Sequence, residues 1–397
     1  TLYVSTDLGA PRRKVVAISL AERARSKWRT ILPEGAHTIE NVHLTKTHLV
    51  VTRLVDVRGE LSLYTLDGKG AGKVSLPGIG TVAGVSTSRD FSGFYYAFTS
   101  PLYPTTVFRY DIATRGNVPF DAPTMAFDPS RYETTQRFAT SKDGTRVPYF
   151  VTHRKGLPLD GANPTMLYAY GGFSVSLLPS FSPSNVAWME QGGVWVTASL
   201  RGGGEYGEAW HQAGMRDKKQ HVFDDFIAVA EQLIADKVTS SAHLTIEGGS
   251  NGGLLVGAVM TQRPELFAVA LPAVGVLDML RYHKFTGGAA WATEYGSADE
   301  ADAFPYLLAY SPLHNVKAGT CYPATLITTA DHDDRVVPSH SFKFAATLQA
   351  AQATQGCDRP VLIRVETQGS HGYRPTDKLI AETADVLAFA LARTAKH

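Results

Sequence analysis

Cysteine is nearly absent from this 397-residue chain, with Cys321 and Cys357 as its whole complement. Two thiols make no disulfide framework and sit easily with a reducing compartment. The expected location is therefore the cytoplasm, with a bacterial periplasm as the alternative. An excess of charge of one sign is also lacking. The 38 Lys and Arg nearly cancel the 37 Asp and Glu, and a net charge of +1 supplies no global field for gripping nucleic acid or an anionic membrane. Long hydrophobic runs are missing as well: the longest uncharged apolar stretch, Phe267 to Leu277, is too short to cross a bilayer and contains Pro272. No basic and apolar leader precedes the first strand-like run, Leu2 to Thr6, so a chain starting at Thr1 reads as processed or truncated. What the sequence does hold is core-forming material. Hydrophobic residues make up 44%, with 18 Phe, 17 Tyr and 5 Trp, which excludes disorder and predicts a soluble globular protein. At about 150 residues per domain, the length allows two or three domains.

The opening third repeats itself. Strand candidates Leu2–Thr6, Leu49–Thr52 and Tyr95–Thr99 are each followed, after a hairpin-length gap, by a second: Val15–Leu20, Leu61–Leu66 and Val107–Ile112. The second strands start 46 residues apart both times, within the range of four-stranded propeller blades. Aromatic and β-branched residues, with Asp67-Gly68 as a turn, favour strands over helices. An ordinary meander or sandwich is the alternative. Three blades cannot close a ring, so edge strands would be left open. Near residue 129 the pattern changes to strands alternating with amphipathic helices. Strands are predicted at Gln136–Thr140, Pro148–Thr152, Met166–Tyr170, Val194–Ser199, Leu244–Glu247, Ala324–Thr329 and Val361–Glu366. Helices are predicted at Phe223–Lys237, Gly252–Gln262, His340–Ala351 and Thr376–Ala392. The expected architecture is α/β: a partial β-propeller of about three blades over residues 1–128, then a mostly parallel sheet covered by helices over residues 129–397.

The sharpest chemical signal is Gly248-Gly249-Ser250-Asn251-Gly252, set between a predicted strand and a predicted helix. A Gly-x-Ser-x-Gly turn in that context is a nucleophile elbow, which lifts a serine hydroxyl above the sheet. The helix behind it aims N–H groups at an anion forming there, with the Asn251 N–H as one oxyanion donor. A phosphate loop is excluded because no Gly-Lys-Ser/Thr ending follows. A serine needs a base, and this fold supplies an acid and then a histidine later in the chain. Beyond residue 333 the histidines are His340, His371 and His397. His371, between the last strand and the last helix, is the base by position. For the acid, Asp331, Asp333 and Asp334 compete in one loop, and position does not choose among them. No pair of histidines has metal-ligand spacing, so neither a metal nor another cofactor is expected.

These stretches together resemble the prolyl oligopeptidases, serine peptidases with an α/β-hydrolase domain capped by a seven-bladed propeller. The matching segments are Tyr168-Ala-Tyr-Gly-Gly-Phe173, Arg201-Gly-Gly-Gly-Glu-Tyr-Gly207, Gly248-Gly-Ser-Asn-Gly-Gly253, Tyr310-Ser-Pro-Leu-His-Asn-Val316, Asp331-His-Asp-Asp-Arg-Val-Val-Pro338 and Ser370-His371-Gly372. The resemblance makes Ser250 the nucleophile, Asp333 the acid and His371 the base. It implies the Tyr170 hydroxyl as second oxyanion donor, where the residue alone would read as a buried aromatic at a strand end. Trp291 matches the indole that stacks on a substrate proline. Phe173, Asn251, Val276, Tyr295 and Val336 would complete an apolar pocket, and Arg335 would bind a substrate carbonyl rather than pair with Asp331 or Asp334. Short proline-containing peptides are then the expected substrates, cut after proline by acyl transfer.

Two departures stand beside the resemblance. More than half of the propeller is missing, together with the N-terminal segment that packs onto the hydrolase domain in the family. A C-terminal fragment or one chain of a nicked enzyme is expected, with the missing N-terminal part as its partner. The competing functions are an oligopeptidase of broader or basic specificity, for which Glu294 is the one acid near the pocket, and a catalytically incomplete fragment serving as an interaction module.

Overall fold

The aromatic and β-branched segments of the opening third are strands in the computed structural model, which describes residues 1–88, 91–352 and 356–395. His397 lies outside the described residues. The chain divides into two units. The first comprises Thr1–Thr134 with Leu178–Val186 and Gly204–His211, and the second holds the remainder.

In the first unit, β1 (Leu2–Thr6), β2 (Lys14–Ile18) and β3 (Arg29–Leu32) form a three-stranded antiparallel sheet. Two four-stranded sheets follow: β4 (Thr38–Leu44), β5 (His48–Val55), β6 (Arg58–Thr65) and β7 (Gly70–Lys73), then β8 (Thr81–Thr87), β9 (Gly93–Ser100), β10 (Tyr103–Asp111) and β11 (Asn117–Asp121). The predicted repeat pairs are β1 with β2, β5 with β6 and β9 with β10, so the periodicity marks equivalent strands of three successive blades. Alternation sets what each blade buries. Phe94, Tyr96 and Phe98 point the same way from β9 and meet Phe108 and Tyr110 of β10, together with Val50, Leu61 and Leu63 of the preceding blade. Val15, Ala17, Ile39, Leu49 and Val51 do the same between the first two blades. The predicted Asp67-Gly68 turn links β6 to β7. Gly68 has φ +93°, and a Cβ there would stand 2.2 Å from the Ile31 carbonyl oxygen, so only glycine fits.

The second unit is built on an eight-stranded sheet: β12 (Tyr132–Thr140), β13 (Arg146–Arg154), β14 (Thr165–Tyr168), β15 (Val194–Ala198), β16 (Leu244–Gly249), β17 (Val269–Ala273), β18 (Ala324–Ala330) and β19 (Val361–Glu366). Their spatial order is β12-β13-β15-β14-β16-β17-β18-β19. From β15 to β19 every pairing is parallel. Helices join these strands; the first long one hides a clear apolar stripe, whereas in the last, Thr376–Thr394, only Ala390 and Thr394 are buried. In the helix Gln220–Ala235 the stripe is Val222, Phe223, Phe226, Val229, Ala230 and Leu233, three or four residues apart. The helix Asn251–Gln262 is buried on nearly all sides. The remaining predicted helices lie at Ser339–Ala351 and Thr376–Thr394.

One strand of this sheet was not among those predicted and one expectation needs correction. The apolar run Phe267 to Leu277 contains β17, a central strand that holds Pro272 although proline is ordinarily kept out of such strands. The sheet accommodates that proline with a gap. On the β18 side the register passes from Ala270 paired with Thr325 to Ala273 paired with Thr328, skipping Leu271 and Pro272. The two cysteines, expected as free thiols, are joined: Cys321 and Cys357 form a disulfide with their Cα atoms 5.6 Å apart. Their separation of 36 residues hid the proximity, which arises because each precedes one of two adjacent parallel strands, β18 and β19. Among the described residues no helix is long and apolar enough to cross a membrane.

Candidate active site

Parallel strands all end at one edge of the sheet, and loops leaving that edge are where an α/β fold can gather side chains distant in sequence. Ser250 follows β16, Asp333 follows β18, His371 follows β19 and Tyr170 follows β14. Every predicted catalytic group therefore leaves the same edge.

Ser250 has φ 58° and ψ −113°, a strained conformation for a residue with a side chain, between the end of β16 and the start of the helix Asn251–Gln262. The turn is held by the Ser250 N–H, which donates to the Ala273 carbonyl at 2.8 Å. Its flanking glycines are sterically required. A Cβ on Gly248 would lie 2.4 Å from the Gly252 carbonyl oxygen, and one on Gly252 would lie 2.7 Å from that of Ala169. The Asn251 N–H belongs to the first helical turn, where amides have no partner within the helix.

The three competing aspartates occupy different environments. Asp331 is exposed and pairs with His332 at 2.6 Å, and Asp334 is exposed. Asp333 is buried. Its Oδ1 accepts from the Arg335 and Val336 N–H groups at 3.0 and 2.9 Å, and its Oδ2 lies 2.7 Å from His371 Nδ1. That engagement leaves Nε2 as the ring nitrogen for proton transfer. His340 belongs to the core: its Nδ1 accepts from the Asp278 N–H, and burial pushes its pKa down to about 4.

A pocket of about 320 Å³ opens beside Ser250, lined by Tyr170, Phe173, Val276, Trp291, Tyr295 and Arg335. Its aromatic wall is braced from behind. Tyr295 meets Phe173 edge-on at 5.4 Å and Tyr282 at 5.3 Å, while Tyr282 lies parallel to Trp291 at 6.2 Å. Burial raises the pKa of the Tyr170 phenol, against the lowering effect of the neighbouring Ser250 hydroxyl and of Arg335. Such a hydroxyl stays protonated and able to donate.

Two predicted pocket residues are placed differently. The Asn251 side chain is turned under the site. Its Nδ2 donates to the Tyr170 carbonyl at 2.6 Å, and its Oδ1 accepts from the Tyr295 hydroxyl at 2.8 Å and from Lys219 Nζ at 3.1 Å. Val336 is buried and serves Asp333 through its N–H rather than lining the pocket. Each is drawn away by a different hydrogen bond: the Asn251 amide holds the Tyr170 turn, and the Val336 N–H holds the Asp333 carboxylate.

Three supporting groups were not assigned these roles from sequence. Lys219 is 1% exposed and donates to the Gly171 carbonyl as well as to Asn251. Nothing in Asp217-Lys218-Lys219 distinguishes one lysine from a solvated charge run. Glu294 is buried, and its Oε1 accepts the Phe173 N–H at 2.8 Å. Arg201 is buried and forks onto Asp225 while also reaching Asp143. Among the described residues, no group of three His, Cys, Asp or Glu is arranged to hold a metal ion.

Comparison with known proteins identifies the family. Residues 179–397 match the prolyl oligopeptidase family, and residues 1–122 match the N-terminal β-propeller domain of prolyl oligopeptidases. The chain is 46% identical over 393 residues to a prolyl endopeptidase of Elizabethkingia meningoseptica, covering 98% of this chain and 55% of that protein. Among solved structures, a prolyl endopeptidase studied for inter-domain dynamics superposes with a TM-score of 0.95 at 44% identity, covering 99% of this chain and 58% of its own. Prolyl oligopeptidase B from Galerina marginata, bound to a 35-residue substrate, superposes at 0.93 with 34% identity, covering 99% and 56%. The chain spans about half the length of the curated relatives it matches. With more than half of its residues inside the peptidase match and most of the rest inside the propeller match, the chain belongs to the prolyl oligopeptidase family.

Proposed function

We propose that this chain carries the catalytic machinery of a serine peptidase that cuts short peptides on the carboxyl side of proline. The observation that carries the reading is a strained serine opening onto an aromatic pocket, with a buried Asp333 holding His371 on the same sheet edge. In this reading Ser250 Oγ attacks the carbonyl carbon of the proline residue while His371 Nε2 takes its proton. Asp333 holds the ring and stabilises the imidazolium. The Tyr170 hydroxyl and Asn251 N–H receive the oxyanion. The imidazolium then returns its proton to the leaving amine, and water repeats the attack on the acyl-enzyme. A flat pyrrolidine suits the indole face of Trp291 and the edge-on ring of Phe173. Arg335, at the rim, is assigned to a substrate carbonyl.

A pocket for basic residues finds less support. Glu294, the nearby acid, already accepts the Phe173 N–H and is buried. Within the same proposal the division between propeller and hydrolase parts falls near residues 128 and 129. The Cys321–Cys357 pair favours the oxidising periplasm over the cytoplasm.

The test compares hydrolysis of two blocked chromogenic peptides, with Pro or Ala before the scissile bond, with Ser250→Ala as control. Proline preference that disappears in the mutant is expected. Comparable cleavage after alanine would replace the reading with a broader oligopeptidase, and no cleavage of either peptide would refute peptidase activity for this chain.

A further inference from the structure

The turn carrying Tyr170 is gripped at three consecutive places. The Tyr170 carbonyl accepts from Asn251 Nδ2, the Gly171 carbonyl accepts from Lys219 Nζ at 2.7 Å, and the Phe173 N–H donates to Glu294. The backbone has no slack between these grips. A Cβ on Gly171, where φ is +64°, would stand 2.4 Å from Val222 Cγ1, and one on Gly172 would stand 2.6 Å from Asn251 Nδ2.

Lys219 is the centre of the arrangement. It follows the helical turn Arg216–Lys218 and precedes the helix Gln220–Ala235, so its backbone is fixed from both sides. Its ammonium is buried, and a buried cation is costly unless its hydrogen bonds are used. Two acceptors use them: one on the Tyr170 turn and one on the residue after the nucleophile.

We propose that Lys219 is a positioning residue for the oxyanion hole: by joining the Gly171 carbonyl to the Asn251 side chain, it sets the spacing between the Tyr170 hydroxyl and the Asn251 N–H. The inference rests on the serine peptidase reading above, because the spacing matters only if both groups receive one oxyanion. The charged and titratable groups facing Lys219 are Glu294, which favours its protonated form, and Tyr295, whose ring centre lies 5.4 Å away. Tyr170 and Tyr310 act on Tyr295 in turn. Burial outweighs Glu294 and draws the lysine pKa down to about 8. The clasp is therefore expected to lose its charge in mildly alkaline solution.

The experiment measures the rate at which a fluorophosphonate labels Ser250 in the full chain, a reaction that needs the oxyanion hole but no proline. Lys219→Met is expected to slow labelling about 10–100-fold, the scale of a misplaced catalytic group. In a Tyr170→Phe background the same substitution is expected to cost less than about threefold, because both changes damage one hole. Equal slowing in both backgrounds, or in neither, overturns the positioning role. If Lys219→Met fails to fold, Lys219→Gln decides, because its shorter amide cannot span the same two acceptors: it should slow labelling of the wild-type background about as much and of the Tyr170→Phe background less than about threefold, whereas equal effects in both backgrounds overturn the proposal. A wild-type chain that labels but shows no proline preference leaves this inference standing and removes the specificity. A chain that does not label at all removes the serine chemistry itself.

Discussion

His371 Nδ1 lies 2.7 Å from Oδ2 of Asp333, while the other oxygen of that carboxylate is held by two backbone amides. The histidine is thus oriented by a group that is itself fixed, and this singles out one aspartate of three. Asp333→Asn should lower kcat by about 10⁴, the scale seen when a triad carboxylate is neutralised. Asp331→Asn and Asp334→Asn should stay within about twofold of wild type, since exposed charge pairs contribute little. Steady-state kinetics of the three variants checks the assignment, and a large loss at Asp334 would contradict it.

Trp291 stands on the pocket wall with Tyr282 parallel behind it. Trp291→Ala should reduce the preference for proline over alanine about tenfold, the scale of one lost aromatic contact and its buried area. The ratio of kcat/KM values for the two peptides is the measurement. A ratio unchanged by the substitution would place the proline elsewhere.

Glu247 lies in β16, three residues before the nucleophile, and burial raises its pKa from the usual 4.5 to about 7. A carboxyl whose folded pKa is raised binds its proton more tightly in the native state. Its contribution is fully present below pH 4.5 and is lost as pH rises through about 7. Glu247→Gln should therefore raise the melting temperature by roughly a few degrees at pH 8 and leave it nearly unchanged at pH 4. Melting curves of both proteins at the two pH values test the sign. Equal effects at both would show that the carboxyl does not titrate there.

Arg201 and Asp225 form a buried pair, with side chains 5% and 0% exposed, whose charges have no water to fall back on. Arg201→Ala should cost about 3–5 kcal/mol, because Asp225 would remain buried without its partner. At the exposed pair Arg263–Glu265, Arg263→Ala should cost under about 1 kcal/mol. Denaturant unfolding of the two variants compares them, and similar losses would mean that Asp225 is rescued by solvent or by Ser141.

The elbow was legible in sequence because its requirements are local. Strand, two small residues, serine and helix are contiguous, and the steric demand at Gly248 and Gly252 is written into the glycines themselves. The blades were legible through repetition, which marks equivalent strands even where their ends are misjudged. What stayed hidden depends on neighbours distant in sequence. The choice of Asp333 needs burial and two particular amides, which five consecutive polar residues do not reveal without a family likeness. Lys219 looks like any surface lysine until the Tyr170 turn is brought over it. The strand β17 was not predicted, and its Pro272 is tolerated because a proline is excluded from a ladder only where an amide is needed, and the pairing with β18 skips that place. The cysteines misled because composition counts thiols without locating them.

Tyr170 leaves the sheet at β14 and His371 at β19, with β16, β17 and β18 between them in the sheet. The reaction centre is therefore not a local device that a partly folded chain could keep. It exists only when four adjacent parallel pairings, all between segments distant in sequence, have settled in register. Pairings of this kind form slowly and late. Acquisition of serine reactivity should consequently lag behind recovery of far-ultraviolet ellipticity during refolding, making the chemistry a stricter gauge of native topology than the helix and strand signal.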